Sequence, residues 1–204
     1  PSAPTGRPPR AVTRSRGPGG PTSVRRMTTT DSAAHPRFAE ALRELGLGDV
    51  NARVRAFPEA TRTAAEAAAA IGCELSQICK SLIFAAWGPP GDGPGPEPAT
   101  GEPVLVLMDG ASRVDVERVR EALGARKVTR ADAKAVRETT GYAIGGVPPF
   151  GHRTRTRVLA DRSLLAHDVV WAAAGTPYSV FPMRPEELVA HAGATLVDVR
   201  ERAV

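Results

Sequence analysis

The sequence predicts one α+β domain over residues 33–204, a curved mixed or antiparallel sheet flanked by helices. Three observations predict it. Apolar residues recur at helical spacing in several separated stretches. Short aliphatic and β-branched runs stand between them. Helices and strands then follow one another without the regular alternation of a βαβ protein. A chain of 204 residues, 42% hydrophobic with 20 Gly and 19 Pro, suits one core with loose segments rather than two large domains.

Residues 1–32 read as a disordered tail, because 1–26 is rich in Pro, Gly, Ser, Thr and Arg and offers almost nothing to bury. That segment carries six arginines and no acid, so the formal charge of +5 becomes 21 basic against 22 acidic residues, net −1, over 27–204. Met27 ahead of a polar stretch reads as a start site, with 1–26 an upstream extension. The same polar stretch, Met27–Pro36, excludes Arg25-Arg26 as an export signal.

From Pro36, the spacing of Phe38, Leu42 and Leu45 predicts a helix stopped by Gly46. An extended piece, Val54–Phe57, leads to Thr63-Ala64-Ala65-Glu66, a capping box opening a helix that Gly72 ends. Gln77–Trp87 and Pro103–Met108 read as neighbouring strands, joined by a Gly- and Pro-dense flexible insertion over 88–101. A helix over Val114–Leu123, capped by Ser112 or Asp115, precedes another near Ala131–Glu138 with Thr129 and Asp132 in capping-box positions. Strand-like pieces follow at Arg157–Ala160, Val169–Ala174, Ser179–Met183 and Thr195–Val199, with one helix opening at Pro185.

Several chemistries are absent from the pattern. No apolar run approaches the roughly 18 residues of a membrane span. Two cysteines make no disulfide framework, which points to a reducing, cytoplasmic setting. Neither a phosphate-binding glycine fingerprint nor HExxH occurs, and no Cys/His set has metal-ligand spacing, so neither metal nor cofactor is expected. Ser81 and Ser112 lack a nucleophile-elbow context.

What remains is one lysine and one loop. Lys80 is one of three lysines against 24 arginines and lies inside an apolar strand, sharing a face with Ile78, Leu82 and Phe84. There its ammonium needs an anionic or carbonyl partner, unless it snorkels from a sheet edge. Cys79 points to the opposite face and reads as core. The segment Gly145–Gly151 either makes a turn or brings backbone groups against a ligand, since glycine lacks the Cβ that keeps backbones apart. His152 follows that loop and is a candidate to face a pocket, whereas Asp109 and Asp161 end strands and read as turn caps.

The order of these features is more specific than any one. TAxEAA, QIxKSLIF, VLVLxxGxxxVD and LGAxKxxxAxxxxVxxxTGYxIGGVxPxG, spread over Thr63–Val199, resemble the YbaK/EbsC aminoacyl-tRNA deacylases. That superfamily includes the editing domain of prolyl-tRNA synthetases. The resemblance implies a free-standing hydrolase that cleaves the ester of a mischarged tRNA, typically proline tRNA carrying a small amino acid. It implies that Lys80, Gly145 and Gly146 carry catalysis, with Thr63, Gly110, Tyr142, Val147, Pro148, Pro149 and His152 binding the acceptor end. Prolyl-tRNA synthetase is the implied protein partner. Departures shift the expected substrate. Pro148 stands where many members carry Ser and removes a hydroxyl and a backbone donor from the water-positioning loop, while Thr63 and Val180 stand where the cysteine-specific branch carries an aromatic residue and an acid, which favours alanine or another small aliphatic residue. The competing reading is a non-catalytic small-molecule or tRNA-binding module of the same fold.

Overall fold

A computed structural model describes residues 33–61, 63–88 and 101–202. The tail expected over 1–32 lies outside them, as does the 88–101 insertion apart from Gly88 and Gly101.

Helix α1, Pro36–Glu44, opens on a proline whose fixed φ suits a first turn, and buries Phe38 and Leu42 on one face. A five-residue helix α2, Gly48–Ala52, follows without any pattern in the sequence to announce it, then a two-residue strand β1, Arg55–Ala56. Helix α3, Ala64–Ile71, carries the expected capping box: Thr63 Oγ1 accepts from the Glu66 N–H at 3.2 Å, and the Glu66 carboxylate accepts from the Thr63 N–H at 3.0 Å. Strands β2, Ile78–Trp87, and β3, Glu102–Asp109, pair antiparallel over their lengths. Asp115 caps helix α4, Val116–Leu123, accepting from the Glu117 and Arg118 N–H groups.

The next stretch departs from expectation. Thr129 does not open a helix but lies in a strand, β4, Lys127–Arg130, and Asp132 alone caps helix α5, Ala133–Thr140. Strands β5, Arg157–Asp161, β6, Val170–Ala173, β7, Ser179–Met183, and β8, Thr195–Val197, complete the sheet, with helix α6, Pro185–Ala192, before the last of them.

The eight strands form a mixed sheet in the order β1-β7-β6-β2-β3-β5-β8, with β4 also on β2. β2 pairs with β3 along one edge. Its other edge is shared: β6 pairs parallel with Ile78 and Cys79, and β4 pairs antiparallel from Phe84 to Trp87. Both faces of the sheet are covered, which explains the unbroken apolar run of β3. Leu105 and Leu107 join Phe38, Leu42, Phe150, Phe181 and Leu188 on one face, while Val104, Val106 and Met108 pack with Val119 of α4 on the other. Among the described residues no helix is long and apolar enough to cross a membrane.

Candidate functional site

The environment of Lys80 follows from how β2 is covered. Ile78, on the same face, packs with Ala67 and Ala68 of α3, and Phe84 packs with Val119 of α4. Lys80 and Leu82 fall between the two helices and stay half-buried. The ammonium meets the need read from its strand: Nζ donates to the Gly110 carbonyl at 3.3 Å and to the Ser112 carbonyl. Gly110 fits this turn because a Cβ there would collide with the Leu75 carbonyl oxygen.

Asp109 holds the turn in shape. Its Oδ1 accepts from the Ala111 and Ser112 N–H groups, both at 2.9 Å, and its Oδ2 from the Ser163 hydroxyl at 2.6 Å. Burial pushes the Asp109 carboxyl up, but the hydrogen bonds from Ser163, Ser112 and Ala111 together outweigh it and leave the group below its ordinary value. Burial also draws the Lys80 ammonium below the usual lysine range. The Asp109 charge opposes that shift, and Arg130 and Arg113 add to it. Cys79, on the opposite face, is core: burial raises its thiol to about 12, so it is no nucleophile at neutral pH.

A cleft of about 290 Å³ runs along β2 from Ile78 to Leu82. Its walls are mostly apolar: Ala64 and Ala67 from α3, Trp171 and Val180 from β6 and β7, and Ile144 and Val147 from the glycine loop. Thr61, Thr63 and Ser179 add hydroxyls. The size is at the lower end for small-molecule pockets and suits a group as small as an aminoacyl moiety.

Of the residues expected to form the site, Lys80, Thr63, Gly145 and Val147 meet at this cleft, with Gly110 behind the Lys80 ammonium. Gly145, at φ +87°, takes a backbone conformation that glycine favours. Gly146 does not offer its N–H to the cleft, since that group donates to the Ala143 carbonyl at 3.0 Å, and a Cβ there would lie 2.7 Å from Thr176 Cα. Tyr142 is buried away from the cleft and donates its hydroxyl to the Gly151 carbonyl at 2.8 Å. Pro148 and Pro149 are likewise buried outside it. His152 does not face the pocket either. Its Nε2 donates to the Pro148 carbonyl at 2.7 Å, and burial lowers its pKa, keeping the ring neutral. Gly146, Pro148 and Pro149 are inner parts of the loop itself, and Tyr142 and His152 each hold one of its carbonyls.

Sequence reasoning missed three participants. Ile144, 61% exposed, stands at the cleft mouth; a large apolar residue inside a glycine loop was its signal. Arg113 and Arg130 border a second cavity of about 320 Å³ that shares Lys80 and Leu82 with the cleft and has Phe84, Val114 and Val116 among its apolar walls and Glu201 as its acid. Among the described residues neither guanidinium has an ion-pair partner. No group of three metal-ligating side chains occurs among them.

The comparisons with known proteins point one way. The aminoacyl-tRNA editing domain family matches residues 58–190. A crystal structure of a candidate trans-editing enzyme for prolyl-tRNA synthetase superposes with a TM-score of 0.71 at 38% identity, covering 86% of this chain and all of that one. The uncharacterized protein YwhH of Bacillus subtilis (strain 168) is 33% identical over 135 residues, 66% of this chain and 78% of its own length. A proline–tRNA ligase of Limosilactobacillus fermentum is 34% identical over 102 residues, 50% of this chain but only 16% of the ligase. With its mixed sheet, its lysine-bearing strand and its glycine loop around one small cleft, the chain belongs to the aminoacyl-tRNA editing domain family.

Proposed function

We propose that this protein is a trans-editing hydrolase that cleaves the ester of a mischarged aminoacyl-tRNA, with proline tRNA carrying alanine or another small aliphatic residue as substrate. One observation carries the reading: a lysine ammonium, oriented by two backbone carbonyls, stands where a small apolar cleft meets a cavity flanked by two arginines without an ion-pair partner among the described residues. The aminoacyl group occupies the cleft. The terminal nucleotide occupies the second cavity, its phosphate on Arg113 and Arg130, since guanidinium forks suit phosphate oxygens. Lys80 spans the junction and stabilises negative charge developing on the ester.

In the reaction one water is consumed. Its oxygen bonds to the acyl carbon, the bond from that carbon to the ribose oxygen breaks, one of its protons ends on the ribose oxygen, and the other leaves to solvent as the amino-acid carboxylate forms. Preorganised donors around the ester supply the stabilisation, which fits a site with no thiolate at neutral pH and a His152 tied to a carbonyl. The apolar walls admit a small side chain and discriminate by size, each methylene counting for about 1–3 kcal/mol. Ala64, Ala67 and Trp171 are among the apolar walls that would read a small aliphatic side chain.

The test is single-turnover deacylation of tRNAs charged with alanine, cysteine, serine, threonine and proline, by wild type and Lys80→Ala of verified fold. Wild type should clear one small mischarged species, and Lys80→Ala should lose at least a hundredfold, on the scale of deleting one preorganised electrostatic contact. A folded wild type that clears none of them would move the protein to the binding-module reading.

A further inference from the structure

Strand β2 has a gap in its pairing at the cleft. The Ala131 N–H reaches the Ile83 carbonyl and the Arg126 N–H the Trp87 carbonyl, both at 3.0 Å and both from the edge away from β3. Main-chain groups alternate along a strand, so Cys79, Ser81, Ile83, Ala85 and Trp87 all turn their N–H and C=O to that edge. On β2, β6 pairs with Ile78 and Cys79 alone, opposite Trp171 and Ala172, and the pairing with β4 begins at Phe84. Continued by one rung, the parallel ladder would join the Ser81 N–H to the Ala173 carbonyl. That rung is open, and both residues line the cleft. Among the described residues the Ser81 hydroxyl, also buried, has no hydrogen-bond partner.

We infer that this open rung is the recognition element for the aminoacyl group: the Ser81 N–H donates to the ester carbonyl oxygen, and the Ala173 carbonyl accepts from the α-ammonium. The inference rests on the hydrolase reading for its substrate class. An aminoacyl ester offers one acceptor and one cationic donor on adjacent carbons, the complement of an unpaired donor and acceptor facing each other across a parallel gap. Binding then works as strand addition reduced to one residue. Main-chain groups read what every aminoacyl ester has in common, and the apolar walls are left to read the side chain. As the carbonyl carbon turns tetrahedral, the Ser81 N–H meets an oxygen of growing negative charge.

Two measurements on the full chain test this. In the ¹⁵N-labelled protein, the Ser81 amide should exchange faster than those of Lys80 and Leu82, which face β3. Its resonance should shift on adding 3′-deoxy-3′-(L-alanylamino)adenosine, and the propionylamino analogue, lacking the ammonium, should bind about tenfold more weakly. Proline lacks an N–H and is tolerated in a strand only where that N–H is outside the ladder. Ser81→Pro should therefore fold where Leu82→Pro does not, and should lose at least thirtyfold more deacylation than Ser81→Ala. A Ser81 amide that stays still while Val147 shifts, equal binding of the two analogues, or Ser81→Pro matching Ser81→Ala would each overturn the inference. Deacylation with a still Ser81 amide sinks this inference alone, whereas a shifting amide without deacylation sinks the hydrolase reading alone.

Discussion

Strands β2 and β3 lie side by side and follow opposite rules. From Val104 to Met108 every residue of β3 is buried, its side chains filling two cores and its edges paired by β2 and β5. β2 is two residues longer, yet it breaks at Lys80–Leu82: these residues are only half-buried, one is a cation, and among the described residues the edge away from β3 has no strand partner there. The rigid strand fixes the register of the imperfect one, from Cys79↔Asp109 to Ala86↔Glu102, so the break stays in one place. A site made of a missing rung needs a neighbour that does not move.

The contrast can be broken or sharpened by substitution. The largest stability effect should come from β3. Leu107→Ala empties a fully buried position and should cost about 2–5 kcal/mol in urea unfolding, while single-turnover rates per folded molecule hold. A loss of rate equal to the loss of stability would mean that the two strands are not separable. Next, the glycine loop repeats the contrast over two residues. Gly146→Ala drives a Cβ into the Thr176 backbone and should lower Tm clearly more than Gly145→Ala. At Gly145 the nearest atom is 3.7 Å away and only the positive φ opposes a side chain, a cost of about 1 kcal/mol. The reverse order would show that Gly146 is not wedged as described.

The smallest effect is electrostatic. The Asp109 carboxyl sits below its ordinary value in the folded protein, so its contribution to stability is complete above the unfolded value of about 4 and disappears as pH falls through the folded value. The Tm gap between wild type and Asp109→Asn should therefore be constant near neutrality and shrink in acid. A gap that widens in acid would reverse the sign assigned to this group.

Much of this was legible in the chain. Lys80 inside an apolar run demanded a carbonyl or an anion and found two carbonyls. The Thr63 and Glu66 box and the turn-capping Oδ1 atoms of Asp109 and Asp161 act locally, and local chemistry can be read from local sequence, whereas the long-range contacts of their Oδ2 atoms with Ser163 and Val199 could not be. β4 could not be read that way. It has four residues, charged at both ends with only Val128 buried, and exists because β2 offers it an edge. For the same reason Thr129 looked like a cap. His152 and Tyr142, expected to bind substrate, adjoin the glycine loop in sequence, but their polar atoms point back at the loop's own carbonyls. The open rung was illegible altogether, because a gap depends on where two distant partners stop, and neither β6 nor β4 signals its end near Ser81.

The two ends of the β2–β3 hairpin also differ in what they can tolerate. The Ala86↔Glu102 pair lies six residues along β2 from Lys80, about 20 Å at the usual rise per residue. Gly88 and Gly101, the last described residues on either side, are thus remote from Lys80 along a strand held by its neighbours on each side. Cargo can be grafted there. A peptide tag or a fluorescent reporter spliced between Gly88 and Gly101 should leave deacylation at Lys80 unchanged, which makes this connection the place to immobilise the protein or follow it in a cell.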